Sequence, residues 1–175
     1  YRPEYEIPES SKDVIEYVEN VVLGALSDDQ KHVVSRLSLE PKMMNVENSI
    51  AVNDIDLLDD QNLLRWNNTN LFELQHLVRN VTRNNLASDE RKDSHRFLAE
   101  HWQLQDTDGA FESYLYHLSQ SNLTEFITQL STEINSLDNR DTAAIATIVA
   151  DCLNENETNS ELIYLETKIA ALRFE

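Results

Sequence analysis

The chain contains very few of the residues that interrupt helices. Proline is absent after Pro41, and the only glycines are Gly24 and Gly109. Proline breaks a helix interior, and glycine supplies the positive φ angles that tight hairpins need. Their scarcity disfavours hairpin-rich sheets and glycine-rich phosphate loops. The sequence therefore predicts an all-α fold.

The first part of the chain predicts a linker followed by helices. Residues 1–9 contain two prolines and are predicted to be an extended lead-in or linker. A first helix is predicted from about Ser10 to Leu26. Ser27 and Gln30 have the spacing of a capping box, which predicts the start of a second helix. The residues predicted to face inward on the first helix are Val14, Val18, Val21, Val22 and Leu26.

The centre of the chain predicts a helix with two distinct faces. Asn70 can cap a helix over Leu71–Asn85. With successive residues roughly 100° apart, its apolar face is formed by Leu71, Leu74, Leu77, Val78 and Val81. The opposite face carries Phe72, His76, Arg79 and Arg83. Arginine and aromatic side chains anchor many interfaces, so this outward stripe is a candidate contact surface.

Helical periodicity continues on both sides of this central helix. Short helices are predicted after Pro41 and over residues 54–66. Later helices are predicted to begin near Ser88, Asp108, Leu123, Thr142 and Ser160. About nine or ten helices with short joints indicate one all-helical domain over residues 10–175. Such helices form a short HEAT/armadillo-like α-solenoid or an irregular helical bundle.

Charge is distributed unevenly along the sequence. Residues 61–100, the basic island, carry six bases and five acids, whereas the chain as a whole has a net charge of −18. On the helix predicted after Ser88, Lys92 and Arg96 face outward. The residues predicted to face inward on this helix are Phe97, Leu98, Trp102 and Leu104. A strongly acidic chain repels phosphate backbones and anionic membranes and favours basic protein partners.

The sequence shows no catalytic or metal-binding motif. Glu73 and His76 have the spacing of half a di-iron motif, but the second half is absent. Cys152 is the only cysteine, so neither a disulfide framework nor a cysteine-based zinc site is expected. We therefore predict no enzyme activity, no cofactor and no metal.

The compartment is predicted to be intracellular, nuclear or cytoplasmic. The lone Cys152 fits a reducing environment, no apolar run reaches the ~20 residues of a membrane span, and no signal peptide is visible. The first residue is Tyr1 and not methionine, which suggests a segment excised from a longer protein.

These observations favour a non-catalytic scaffold or adaptor domain of a multiprotein complex. Its partner is expected to be an acidic or phosphorylated peptide at the stripe of residues 72–83, or a basic protein at the acidic flanks, residues 1–60 and 101–175, of the basic island. The predicted partner-binding residues are Phe72, His76, Arg79, Arg83, Lys92 and Arg96. Nucleic-acid binding through the basic island is the alternative, and a helical enzyme or metal carrier is a third class.

Overall fold

The computed structural model describes residues 12–137 and 139–172 of the chain. The protein is 72% helical with one small three-stranded sheet, which confirms the prediction of a mostly all-α fold. The predicted lead-in 1–9 and the predicted helix start near Ser10 lie outside the described residues. Among the described residues, no helix combines the length and the apolar character that crossing a membrane requires.

The chain divides into two compact units. The first runs to Ser94 and the second begins at His95, within the helix that spans Ser88–Gln103. The sequence predicts one domain over residues 10–175. That interpretation stays a prediction, because compactness does not determine whether the two units unfold together. The choice between a solenoid and a bundle also stays a prediction.

The first unit combines helices with the sheet. Its α-helices are α1 (Lys12–Tyr17), α2 (Asp28–Ser38), α3 (Ile55–Asp60), α4 (His76–Asn85) and the first part of α5 (Ser88–Gln103). The predicted capping box of α2 is confirmed. The Gln30 N–H donates to Ser27 Oγ at 3.3 Å, and the Ser27 N–H donates to Gln30 Oε1 at 2.9 Å.

Some residues of the first helix that the sequence predicts to face the core are exposed instead. A π-helical segment, Val18–Val22, and a 3₁₀ turn, Leu23–Ala25, continue α1. Val18 is buried as predicted, but Val14 and Val21 are exposed, so their predicted inward facing is wrong. A π-helical turn holds more residues than an α-helical turn, which shifts the stripe that faces the core.

The sheet was not predicted from the sequence. Its strands are β1 (Met44–Asn45), β2 (Leu64–Trp66) and β3 (Leu71–Leu74), with β3 between the other two and both pairings antiparallel. Phe72 on β3 is opposite Met44 on one side and Trp66 on the other.

Three predicted helices are corrected by the sheet. Residues 71–74 form β3, so the central helix begins at His76. The helix predicted over residues 54–66 ends at Asp60, and the helix predicted after Pro41 is replaced by β1 and a 3₁₀ turn, Val46–Asn48. Asparagines at positive φ account for two of these breaks, because Asn62 (φ 56°) precedes β2 and Asn70 (φ 59°) precedes β3. Asparagine tolerates this left-handed conformation, which stops a helix.

The regular elements in the described part of the second unit are helices. After the end of α5 it contains α6 (Ala110–Ser121), α7 (Leu123–Glu133), a 3₁₀ turn (Ile134–Ser136), α8 (Asn139–Glu155) and α9 (Ser160–Leu172). The helices predicted in this region are confirmed. Their buried contacts include Phe126, Leu130, Ile145, Val149, Leu162 and Leu165.

Two apolar residues near the end of α5 are not buried. Leu98 and Trp102 face the core as predicted, but Phe97 is exposed and Leu104 is 83% exposed. Phe97 lies roughly 100° around the helix axis from Leu98, and Leu104 follows the last helical residue. Their predicted inward facing is therefore wrong.

Candidate functional site

Phe72, the aromatic residue of the predicted stripe, lies inside the first unit. It is fully buried on β3, and its ring centroid is 5.5 Å from that of Trp66 on β2. The prediction that Phe72 faces outward is wrong, because residue 72 lies on the buried side of a strand and not on a helix. Phe72 packs the sheet and is not accessible to a partner.

The buried Glu73 carboxylate brings together three basic side chains. Arg65 Nη2 on β2 donates to Glu73 Oε1, and Arg79 Nη1 on α4 donates to Oε2 at 3.4 Å. His76 Nε2 lies 3.9 Å from Oε1. Arg79 Nη2 also donates to the carbonyl oxygen of Glu40. This cluster therefore connects β2, β3, α4 and the segment after α2.

The contacts of Arg79 give it a structural role. Arg79 is only 8% exposed, so its charge is stabilised by the carboxylate and the carbonyl that it contacts. The predicted outward position of Arg79 is wrong. On an unbroken helix, residues 73 and 79 would lie roughly 120° apart around the axis. They meet because the chain changes from strand to helix between them.

The other predicted contact residues do not complete one surface with these two. His76, Lys92 and Arg96 are exposed, and Arg83 is half-buried. The structure therefore does not gather the six residues on one outward stripe. Partner binding through the four accessible residues stays a prediction.

Several basic side chains of the basic island form hydrogen bonds or ion pairs within the first unit. Arg65 and Arg79 contact Glu73, and Arg91 Nη2 donates to the carbonyl oxygen of Arg83 at 2.7 Å. These contacts restrict the orientation of the guanidinium groups. The island therefore does not present its six basic side chains to solvent as one patch.

The first unit contains a groove between α2 and α4. It has a volume of about 250 Å³. Its apolar walls come from Leu23, Val34 and Leu86, and its polar walls come from Lys31, Ser35, Thr82, Asn85 and Glu90. We call this the α2–α4 groove. Small-molecule pockets usually measure about 300–1,000 Å³, so this groove suits a side chain better than a cofactor.

One wall of the groove contains an unsatisfied polar group. Thr82 is 6% exposed, and its hydroxyl oxygen is buried without a hydrogen-bond partner in the part of the chain that the structure describes. Buried hydroxyls normally have a partner, and exceptions often mark sites of strain or binding. Thr82 therefore places an unsatisfied polar group in the wall of the groove.

The charges around the groove are mostly negative. Glu90 lines it directly, and Asn85, which also lines it, donates from Nδ2 to Glu19 Oε1 at 2.5 Å. Lys31, the basic side chain of the wall, contacts Asp28 Oδ1 at 3.4 Å. Three carboxylates thus accompany one ammonium group, which favours a cationic ligand.

The helical segment that leads to the groove exposes an apolar stripe. Val14, Tyr17 and Val21 are spaced by three and four residues and are 44%, 58% and 53% exposed. Leu23, just beyond the π-helical segment Val18–Val22, lines the groove. π-Helical turns are rare and occur often at functional sites. We call these three exposed residues the α1 stripe.

Sequence reasoning missed both of these features. The residues predicted to face inward on the first helix include the buried Val18 and Leu26 as well as the exposed Val14 and Val21, so periodicity alone did not separate the two faces. Thr82 lies within a predicted helix but carries no sequence signal of its own, because a buried hydroxyl is recognised only from its surroundings. The tyrosine at position 17, on the arc of Val14 and Val21, was the available hint for the α1 stripe.

The second unit contains a buried pair of histidines. The Nδ1 atoms of His95 and His117 lie 2.9 Å apart, and both residues are buried. Cys152 is buried in the same unit, and this burial raises the pKa of its thiol to about 11. The thiolate is the reactive form of cysteine, so the Cys152 thiol is unreactive near neutral pH.

The geometry of the described residues does not assemble a metal centre. In residues 12–137 and 139–172, no group of three or more His, Cys, Asp or Glu side chains could hold a metal ion. Comparison of the chain with protein-family models, with curated proteins and with solved structures finds no match.

Proposed function

We propose that this chain is a non-catalytic protein–protein interaction domain. It acts as a scaffold or adaptor within a larger intracellular multiprotein complex, nuclear or cytoplasmic. The observation that carries the proposal is the α1 stripe, Val14, Tyr17 and Val21, which is exposed on the helical segment that leads to the α2–α4 groove. Grouped apolar side chains on a surface often mark a site where another protein binds.

The spacing of the stripe supports a protein ligand. Side chains three and four residues apart lie on the same face of a helix, so they present one elongated apolar surface. The net charge of the chain is −18, which disfavours nucleic acids and anionic membranes as ligands and favours basic proteins. A partner that combines apolar and basic side chains satisfies both properties.

The intracellular setting is supported by the lone cysteine. Cys152 is buried with a raised thiol pKa, and the sequence contains no second cysteine for a disulfide within the chain. Proteins of reducing compartments commonly have this pattern.

The nucleic-acid alternative has weaker support. Arg79 of the basic island is buried. Arg65 contacts Glu73, and Arg91 contacts the carbonyl oxygen of Arg83. Titration of labelled single- and double-stranded oligonucleotides at low salt tests this alternative. Micromolar binding that weakens when Lys92 and Arg96 are changed to Glu would favour it.

Affinity capture from a eukaryotic lysate tests the proposed function. The wild-type chain is compared with a variant in which Val14, Tyr17 and Val21 are changed to Ser. The matched control changes Ile163 and Tyr164, exposed on α9, to Ser. We expect a discrete set of partners that stays bound at near-molar salt, is lost from the stripe variant and is retained by the control.

Two outcomes of the capture experiment contradict the proposal. One is a broad set of basic proteins that washes off with salt, because charge alone then explains the binding. The other is an identical set of partners for the wild type and the stripe variant. Circular dichroism of each variant confirms that the comparison is made between folded proteins.

A further inference from the structure

We propose that the α2–α4 groove binds a partner peptide in which an apolar side chain is flanked by lysine or arginine. This inference rests on the proposed function, since it names the site and the chemistry of the partner. It is carried by three independent properties of the groove: its size, its charge and its unsatisfied hydroxyl.

The size of the groove selects a side chain as its occupant. At about 250 Å³ it lies below the usual range of cofactor and drug pockets. Leu23, Val34 and Leu86 provide apolar walls on which an aliphatic or aromatic side chain can be buried. Burial of such an anchor in a pocket is the usual source of affinity at an interface.

The charges around the groove select basic neighbours for that anchor. Glu90 lines the groove. Glu19 accepts a hydrogen bond from Asn85 of the wall, and Asp28 pairs with Lys31 of the wall. A peptide that carries lysine or arginine beside the anchor meets these carboxylates. An acidic or phosphorylated peptide meets a repulsive rim instead. The carboxylates of Glu19, Asp28 and Glu90 therefore favour a basic ligand over an acidic one at this site.

The Thr82 hydroxyl provides a specific polar contact. It is buried without a partner among the described atoms, and Thr82 lines the groove. A hydroxyl both donates and accepts, so a rotation of the Thr82 side chain toward the groove would let it bond a backbone N–H or carbonyl of the peptide. Forming that bond relieves a buried polar group, which makes the hydroxyl favourable for binding.

A second copy of this chain is a less suitable occupant. Each copy has a net charge of −18, so two copies repel each other. A separate, basic protein segment has the opposite charge. The groove is therefore assigned to a hetero-partner.

Fluorescence anisotropy with three labelled peptides tests the assignment on the full chain. The first probe has leucine or phenylalanine flanked by lysines, the second replaces the lysines by glutamates, and the third replaces the apolar residue by alanine. We expect measurable binding of the first probe, at least tenfold weaker binding of the third and no binding of the second. Tighter binding of the acidic probe overturns the proposal.

Two groove variants and a matched control locate the binding site. Glu90→Lys reverses a charge of the wall, and Asp89→Lys makes the same change at the neighbouring exposed residue, which does not line the groove. Glu90→Lys is expected to weaken binding of the first probe about fivefold to tenfold more than Asp89→Lys does. Thr82→Val, which replaces the hydroxyl by a methyl group, is expected to weaken binding of the first probe about fivefold. Equal effects of Glu90→Lys and Asp89→Lys overturn the assignment.

The outcomes also separate this inference from the proposed function. Partners that are lost from the α1 stripe variant but bind Glu90→Lys and Thr82→Val normally would leave the proposed function in place and reject the groove. A chain that captures no discrete partner rejects the proposed function, whatever the peptides show. Analytical ultracentrifugation of the chain with the first labelled peptide distinguishes a hetero-complex from self-association of the chain.

Discussion

Glu73 Oε2 and Arg79 Nη1 lie 3.4 Å apart, and both side chains are almost completely buried in the first unit. The contact joins β3 to α4 across the point where the chain changes from strand to helix. A buried ion pair contributes little net stability relative to apolar residues, but removing one partner leaves an uncompensated charge. Arg79 is therefore sensitive to the loss of Glu73.

Glu73→Gln is expected to lower the free energy of unfolding by about 3–5 kcal/mol, because the buried Arg79 loses its carboxylate. The control is Glu16→Gln, which removes a surface pair with Lys12 whose Nζ–Oε1 distance is 3.8 Å. Exposed pairs contribute about 0–1 kcal/mol. Urea denaturation measures both variants, and similar losses for the two would contradict the structural role of Glu73.

Thr82→Val is expected to raise the free energy of unfolding by about 1 kcal/mol. Valine has nearly the same shape and helix propensity as threonine but carries no buried hydroxyl to be left unsatisfied. The control is Thr132→Val, because Thr132 Oγ1 is exposed and donates to the Thr128 carbonyl oxygen at 3.0 Å. Chemical denaturation is expected to show a change within about 0.5 kcal/mol for that control. A destabilised Thr82→Val protein would show that the hydroxyl is satisfied.

Replacements of His95 and His117 in the second unit are expected to have non-additive effects on the free energy of unfolding. Because one Nδ1 donates and the other accepts, replacing either His95 or His117 by leucine removes a buried hydrogen bond, at a cost of about 1–3 kcal/mol. The double replacement is expected to cost less than the two single costs combined, by about 0.5–3 kcal/mol. Chemical denaturation of all four proteins measures this coupling.

The exposed His32 provides the control for the histidine pair. His32→Leu is expected to change the free energy of unfolding by less than about 0.5 kcal/mol. Strictly additive costs for the His95 and His117 variants would mean that the two rings do not interact in solution.

Cys152 is expected to make stability depend on alkaline pH. Burial raises the pKa of its thiol from 9.0 to about 11, so between these values the unfolded chain releases a proton that the folded chain retains. Ionisation then favours the unfolded chain, and the free energy of unfolding falls as the pH rises through this window. The expected fall is at most about 2–3 kcal/mol.

Denaturation between pH 8 and pH 11 of the wild type and of Cys152→Ala tests this dependence. Other groups titrate in the same range, so the informative quantity is the difference between the two proteins. The alanine variant is expected to show the smaller decline. Parallel curves for the two proteins would contradict a raised thiol pKa in the folded state.

The sequence by itself determined the helical class and most of the helices. Ser27 and Gln30 mark the start of α2 through contacts three residues apart, and the apolar spacing of Phe126, Ile127 and Leu130 identifies α7. These signals are local, because a cap or an amphipathic face depends on residues within a few positions of each other. Local signals can be read without knowledge of the fold.

Only the tertiary structure decided the sheet, the buried charges and the groove. Leu71, Phe72 and Leu74 fit a helix as well as a strand, and the choice depends on pairing with Met44 and Trp66. The short strands have no long alternation of their own, so their partners elsewhere in the chain determine them.

The candidate site depended on the same long-range contacts. That Arg79 faces Glu73 and the Glu40 carbonyl follows from the strand pairing and not from helix periodicity. The α2–α4 groove forms from residues of four separate segments, including Leu23 and Thr82. Concavity and an unsatisfied hydroxyl are properties of packed surroundings, and no spacing of residues in the sequence records them.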